Sequence, residues 1–324
     1  MEKDNKLRLI YLAKILYEET DENHMFSTSQ LIELLLDRYG LSAYRTTIGT
    51  DMELLKSFGL DIVTVKSSQN KYYINSRRFS LPEIKLLIDA VYASRFIPKD
   101  LSDDLAKKLA GMTSVWQGAS LKRNLYSEGK LKKHSDELFE TIEIINEAIN
   151  LKKKISFQYF YFDVKKECKL KNSGIAYKFS PYAMVWNGEF YYMVGFSDKH
   201  GGIGSFRVDR IYKSPIITSE DSIETDDFNI DEYTDGMFRM FNSERKDIEL
   251  ICDNSVMDAI LDKFGMNVNT FAYDMKSFRV EANIAVNHVF YSWIFGFGGK
   301  VRIKSPEEIK KHYEEMLHEA IENT

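Results

Sequence analysis

The chain has 324 residues, 44% hydrophobic and 29% charged, and its 49 acidic and 44 basic residues give a net charge of −5. This length allows about two or three domains, and the composition excludes a disordered chain, a disulfide-held peptide and a non-specific polyanion binder. Two isolated cysteines, Cys168 and Cys252, and the absence of an apolar stretch long enough to cross a bilayer predict a cytoplasmic protein without a membrane partner.

The first 80 residues are predicted to form helices followed by a β-hairpin. Asn5 to Glu18 carries apolar side chains at three- and four-residue spacing, which is typical of a helix packed on one side. Ser27 and Gln30 form the pattern of a capping box, and Gly40 stands where a helix end favours a positive φ angle. We therefore expect a second helix from about Thr28 to Tyr39.

A third helix is predicted directly after a short turn at residues 40–42. Its buried face would carry Ile48, Met52 and Leu55, and Gly59 would end it. The β-rich runs Leu60 to Lys66 and Lys71 to Ile74 then predict a two-stranded wing. Helix, tight turn and helix is the geometry that places a second helix in the major groove of DNA.

Charge in this region is locally basic, although the whole chain is acidic. Residues 43–80 contain six basic and three acidic side chains, a modest excess of the kind that phosphate contacts require. The residues expected to contact DNA are Thr28, Tyr44, Arg45, Thr46, Thr47, Thr50, Lys66 and Lys71. A winged helix also serves as a protein-docking module, and the residues alone leave that alternative open.

The middle of the chain changes from helical to β texture. Apolar stripes at helical spacing continue to about residue 151, which predicts a helical connector. Alternation then begins at Ile155, and the Asn187-Gly188 turn between two β-rich runs is a strong hairpin signal. Glu220 to Asp235 holds eight acidic residues and no Lys or Arg, which is typical of a solvated linker. Strands and helices alternate after it, which indicates a small α+β domain.

The β region brings arginines, aromatic rings and hydroxyls into neighbouring strands. Such a set suits a phosphate-bearing or nucleotide ligand through bidentate hydrogen bonds and stacking. The residues expected to bind this ligand are Ser180, Tyr182, Tyr192, His200, Arg207 and Arg210. The alternative is structural, with the tyrosines filling the barrel and both arginines pairing with Asp209. Strand alternation would send the two arginines to opposite faces unless the strand ends or bulges there.

Signals of enzyme chemistry are poor. His312 and His318 are six residues apart on a predicted helix, a spacing that does not place both on one face. Gly296 to Lys300 hints at a phosphate loop, but Val301 stands where Ser or Thr would hold magnesium. We therefore expect no enzyme, no catalytic residues, no metal ligands and no cofactor.

Three segments of the chain resemble the WYL-domain transcriptional regulators. Ser42 to Phe58 is similar to the recognition segment of their winged helix, and Phe290 to Pro306 is similar to their carboxy-terminal extension. Between them, Phe179 to Tyr182 and Arg207 to Ile211 resemble the WYL core. The tripeptide that names the family is here Tyr191-Tyr192-Met193, which keeps two aromatic residues followed by an aliphatic one.

The resemblance implies a multidomain α+β fold and a homodimer with a ligand-sensing barrel. The expected domains are a winged helix-turn-helix (1–80), a helical connector (81–151), an SH3-like WYL β-barrel (152–218), an acidic linker (219–245) and a ferredoxin-like α+β domain (246–324). The expected function is a transcriptional regulator that binds double-stranded DNA and senses a nucleotide or nucleic-acid effector. The alternative is an adaptor that binds no DNA, whose barrel takes nucleotide or RNA and whose winged helix docks a protein.

Overall fold

The structure is a computed structural model that describes residues 2–66, 68–121, 135–225, 228–230, 233 and 245–323. It divides into two compact units, Met1–Ser135 and Asp136–Thr324. The first unit is helical with one small sheet, and the second contains two antiparallel sheets. This confirms a mixed α+β fold of more than one domain, whereas the finer division into five segments stays a prediction.

The amino-terminal part of the first unit forms around three helices and a small sheet. Its elements are α1 Glu2–Glu19, β1 Phe26–Ser27, α2 Thr28–Tyr39, α3 Arg45–Ser57, β2 Ile62–Val65 and β3 Lys71–Ile74. The strands are antiparallel in the order β1-β3-β2. Helix α2 has the predicted bounds because the Ser27–Gln30 capping box forms at its start and Gly40, with φ of 66°, ends it.

The helices of this part meet over one apolar core. Its fully or nearly fully buried side chains are Leu12, Ile15, Leu16, Leu31, Leu35, Ile48, Met52, Leu55, Ile62 and Ile74. A buried ion pair also joins α1 to α3, because Arg8 Nε lies 2.7 Å from Asp51 Oδ2. The orientation of α3 is therefore fixed from its inner side.

A helical part follows with α4 Leu81–Ala93, α5 Lys99–Ala110 and α6 Val115–Leu121. The predicted connector continues through residues 122–134, which lie outside the described residues. Asp21, just after α1, accepts a hydrogen bond from Ser114 Oγ ahead of α6, and the rings of His24 and Trp116 stack 4.4 Å apart. Burial raises the pKa of Asp21, but the hydrogen bonds from Ser114 and His24 outweigh burial and lower that pKa below its ordinary value.

The second unit opens with α7 Ser135–Leu151 and a curled antiparallel sheet. The strands are β4 Lys153–Phe162, β5 Cys168–Leu170, β6 Tyr177–Asn187, β7 Phe190–Ser197, β8 Gly202–Arg207 and β9 Ile211–Asp221. Their order is β5-β4-β6-β7-β8, and β9 closes back onto β4. The sheet therefore curls into a half-barrel, and the rings of Phe157, Tyr177, Phe179 and Phe206 fill its interior.

Strand β9 reaches further than the sequence suggests. It ends at Asp221, inside the range 219–245 that was predicted as linker, because Asp221 still pairs with Lys153 across the ladder. Glu220 and Asp221 are therefore strand residues rather than linker residues. Of the remaining predicted linker, residues 226–227, 231–232 and 234–244 lie outside the described residues.

The carboxy-terminal part follows the predicted order of strands and helices. Its elements are β10 Arg245–Asp253, α8 Met257–Phe264, β11 Asn269–Ala272, β12 Ser277–Ala285, α9 His288–Phe295, β13 Val301–Ser305 and α10 Glu307–Glu322. The antiparallel sheet has the order β11-β12-β10-β13 and shares a core with α8 and α9. Its ferredoxin-like character stays a prediction. Nowhere in the described part of the chain is a helix both long and apolar enough to cross a membrane.

Candidate functional site

Helix α3 carries most of the residues predicted to contact DNA. Ile48, Met52 and Leu55 are buried against the core, which leaves the opposite side of the helix facing water. Tyr44 is 81% exposed, and Arg45, Thr46 and Thr50 are exposed as well. Thr47 is half-buried. The amphipathic pattern of the sequence therefore places these side chains as predicted.

The hairpin β2–β3 brings the other predicted residues beside the start of α2. Thr28 donates its backbone N–H to Asn70 O at 3.2 Å, so the hairpin tip lies against the amino end of this helix. Lys66 follows β2 and Lys71 begins β3, and both are exposed. The α3 surface and the two wing lysines belong to the same folded part, which is the arrangement needed for one contact with a duplex.

Few contacts tie down the exposed side of α3. Arg45 Nη2 donates to Ser29 Oγ at 3.3 Å, and Thr50 Oγ1 donates to Thr46 O at 3.2 Å. These bonds to neutral oxygens are weaker than the charge-assisted bonds that a phosphate or a guanine base offers. Arg45 is therefore positioned near the surface and is available to a nucleic acid.

The two arginines of the half-barrel are brought together because β8 ends between them. β8 stops at Arg207, and a 3-10 turn, Val208–Arg210, follows. Asp209 accepts two hydrogen bonds from Arg207, Nε to Oδ1 at 3.0 Å and Nη2 to Oδ2 at 2.8 Å. Arg210 Nε lies 4.0 Å from the same carboxylate. Strand alternation therefore does not separate the arginines, and one acid holds both.

Aromatic rings support both guanidinium groups. Arg207 lies over the ring of Phe190 at 3.3 Å, and Arg210 lies over Phe162 at 4.9 Å. Tyr159 Oη accepts a hydrogen bond from the backbone N–H of Arg207 at 3.1 Å, and burial raises the pKa of Tyr159 to about 12. The tyrosine thus stays a neutral phenol beside the two cations.

Sequence reasoning did not select Tyr159, Phe162 or Phe190 as site residues. The signal for the first two was the alternating aromatic run of β4, which also predicts an ordinary core strand. Both interpretations of the arginines hold in part, because the pair with Asp209 is formed and the guanidinium faces also stack on rings. Such a stacked, carboxylate-oriented arginine pair suits an anionic, planar ligand.

Ser180, Tyr182 and Tyr192 are covered by the chain itself. We call residues 220–233 the strap, of which 220–225, 228–230 and 233 are described. Ser180 is fully buried, and its Oγ accepts a hydrogen bond from the strap. Tyr182 Oη donates to a strap carbonyl, and Tyr192 is buried in a cluster with strap side chains. These three residues lie under the strap rather than at an open surface.

His200 lies apart from the arginines. It is exposed in the turn after β7, and its backbone N–H donates to Ser197 O at 3.2 Å. In the β7–β8 ladder Ser197 pairs with Gly202, whereas Tyr192 pairs with Arg207. Five residues of strand separate these two pairs, a distance of about 17 Å. His200 and Arg207 are therefore not brought into one site.

Metal-binding and thiol chemistry find little support. Within the described ranges, no group of three or more His, Cys, Asp or Glu residues is arranged to hold a metal ion. Cys168 is exposed, whereas Cys252 is buried and burial raises its pKa to about 12. A buried thiol with this pKa is almost entirely protonated at neutral pH and is unreactive.

Comparison with known proteins identifies two domains in the second unit. A WYL-domain family model matches residues 140–214, and a WCX-domain model matches residues 246–321. The first match contains the half-barrel with Arg207 and Arg210, and the second contains the carboxy-terminal sheet. No curated protein matches the chain.

Two solved structures are similar to parts of the chain. Proteasome accessory factor B/C (PafBC) of Arthrobacter aurescens is 16% identical, with 95% of this chain and 45% of that chain covered and a TM-score of 0.30. A CRISPR Cas-related protein is 15% identical, with 75% of this chain and 71% of that chain covered and a TM-score of 0.39. The present chain therefore spans less than half the length of PafBC. Similarity at this level carries no argument about function.

Proposed function

Because the chain belongs to the family of WYL-domain regulators, we propose that it binds double-stranded DNA and that a nucleotide or nucleic-acid effector at its WYL domain changes this binding. In this proposal residues 1–80 form a winged helix-turn-helix. The protein acts in the cytoplasm as a homodimer and has no catalytic activity. Two copies are proposed because a single winged helix reads only a few base pairs.

The exposed polar side of α3 is the observation that carries the DNA-binding proposal. It presents Arg45, Thr46 and Thr50 above a buried apolar side, and the exposed Lys66 and Lys71 stand on the adjoining hairpin. Arginine and threonine read base edges in the major groove, whereas lysines on a wing hold phosphates. The effector half of the proposal is supported by the arginine pair on aromatic rings near Asp209.

DNA binding is tested by capturing the genomic duplex fragments that the purified full chain retains at low salt. Affinity for a selected fragment is then measured by fluorescence anisotropy. We expect Arg45→Ala to weaken binding to that fragment by about 1 to 3 kcal/mol and to relax preference at one base pair. Lys71→Ala should weaken all sequences alike and reduce the slope of affinity against salt by about one.

Lys108→Ala is the matched control, because Lys108 is an exposed lysine on α5 of the same unit. This variant should bind DNA as the wild type does. If the wild type retains no duplex at low salt, the adaptor function takes the place of DNA binding. One observation favours that second candidate, because two aromatic residues that flank α3, Tyr44 and Phe58, are 81% and 82% exposed.

The effector half is tested best with Arg210→Ala. Arg210 lies 4.0 Å from Asp209, so its removal leaves the bidentate Arg207–Asp209 pair in place. We expect this variant to fold normally and to lose the effector-dependent change in DNA affinity, because a ligand shifts a conformational equilibrium only through differential contacts. A normal response would place the effector outside the arginine pair.

A further inference from the structure

The strap binds the half-barrel through its backbone. The backbone N–H of Ser222 donates to Lys152 O at 2.9 Å, and the backbone N–H of Ile223 donates to Ser180 Oγ at 2.9 Å. Tyr182 Oη in turn donates to Ile223 O. These three bonds hold the strap onto β6 and the start of β4, and they satisfy the hydroxyl of the fully buried Ser180.

Apolar strap residues extend this contact towards the arginine pair. The ring of Phe228 lies 5.0 Å from the ring of Tyr182, and Phe228, Ile230 and Tyr233 pack against Tyr192. Phe190, the ring beneath the Arg207 guanidinium, belongs to the same cluster. The strap therefore covers aromatic rings that adjoin the candidate effector site.

Carboxylates of the strap are paired with lysines of the half-barrel. Lys152 Nζ lies 2.6 Å from Glu224 Oε1, and Lys153 Nζ lies 2.6 Å from Asp221 Oδ1. Glu220 contacts two lysines. Its Oε1 pairs with Lys178, and its Oε2 lies 3.5 Å from Lys154 Nζ. Lys152, Lys153, Lys154 and Lys178 form what we call the lysine surface.

These ion pairs suit displacement by another anion. All except the Lys154 pair are largely exposed, and exposed pairs contribute little stability and weaken as salt rises. The backbone phosphates of a nucleic acid supply the same negative charge at several successive positions. Under the strap lie the aromatic rings on which unpaired bases stack, whereas a duplex keeps its bases stacked inside.

We propose that the strap is an internal competitor, and that the lysine surface and the rings beneath the strap bind a single-stranded nucleic acid when the strap is displaced. This inference rests on the proposed effector function, and it names the effector class and the segment that limits access. The acidic composition of residues 220–235 follows from this role, because the segment occupies the position of a phosphate backbone.

The test compares wild type with the triple variant Glu220→Gln, Asp221→Asn and Glu224→Gln in the full chain. The probe is a fluorescein-labelled oligothymidylate of about 12 nucleotides, a length within the range bound by one small β-barrel domain. Anisotropy at low salt should show at least about tenfold tighter binding by the triple variant, because the competing carboxylates are gone. A second variant, Tyr182→Phe, removes one strap bond without changing charge and should tighten binding by a smaller factor.

Charge alone is controlled by Glu314→Gln, Glu315→Gln and Glu319→Gln, which make the same change in net charge on helix α10. Hydrogen exchange gives an independent readout. The Ile223 amide, bonded to Ser180 Oγ, should exchange slowly in the free protein and faster when the oligonucleotide binds.

Each outcome decides the inference. Tighter binding by the strap variants than by the α10 control, with faster exchange at Ile223, supports it. If wild type and strap variants bind the oligonucleotide equally, the strap is not a competitor, although the effector function stands. If neither binds, the inference fails together with the nucleic-acid form of the effector function.

Discussion

The α3 surface and the WYL half-barrel differ in how far the chain itself already uses their functional side chains. On α3, Arg45 and Thr50 are exposed and bond only to neutral oxygens within their own part of the fold. In the half-barrel, Arg207 is bound to Asp209, and Ser180 is buried under the strap. Substitutions on α3 therefore report on binding alone, whereas substitutions in the half-barrel change binding and folding together.

The largest effect expected is that of Gly195→Ala in β7. A Cβ atom at this position would lie 2.0 Å from Ser180 O and 2.9 Å from the Phe179 ring, so β6 and β7 must separate. We expect a loss of about 3 kcal/mol or more in the free energy of unfolding, measured by chemical denaturation. Gly204→Ala is the control, because Gly204 faces Gly195 across the ladder and has open space around it. Equal midpoints for the two variants would contradict tight packing at this point.

An intermediate effect is expected for Asp209→Asn. The neutral amide no longer balances Arg207 and Arg210, so two partly buried guanidinium groups lose their shared anion. The free energy of unfolding should fall by about 1 to 3 kcal/mol, whereas Glu167→Gln, which breaks the exposed pair with Lys169, should cost less than about 1 kcal/mol. Denaturation midpoints of the two variants give the comparison. An equal loss would mean that Asp209 is not a structural anchor of the arginine site.

The smallest effect, and one of opposite sign, is expected for Gly49→Ala in α3. Nothing lies within 4 Å of a Cβ atom at Gly49, and alanine favours a helix interior over glycine. The free energy of unfolding should rise by about 0.5 to 1 kcal/mol. DNA affinity, measured by anisotropy, should stay unchanged if the duplex contacts Arg45 and Thr46 without touching the backbone at Gly49. A marked loss of affinity would instead place the DNA directly against this glycine.

Local patterns of the sequence determined the helices, the hairpins and their order. Ser27 and Gln30 predicted the start of α2 because a capping box involves only neighbouring residues. The Asn187-Gly188 turn predicted the β6–β7 hairpin for the same reason. In the carboxy-terminal part, periodicity gave the right kind and order of elements, since strands and helices differ in the spacing of their apolar residues. The apolar face of α3 likewise identified its exposed side.

Only the tertiary structure decided which of the predicted ligand residues share a site. The end of β8 at Arg207 brings Arg210 to the same carboxylate, whereas a continuous strand would have directed it to the other face. The strap crosses 43 residues of sequence to reach Ser180 and thereby removes three predicted residues from the surface. Acidic composition alone suggested a linker, because the lysines that bind it are far away in the sequence. Contacts over such separations depend on chain folding, which local periodicity does not encode.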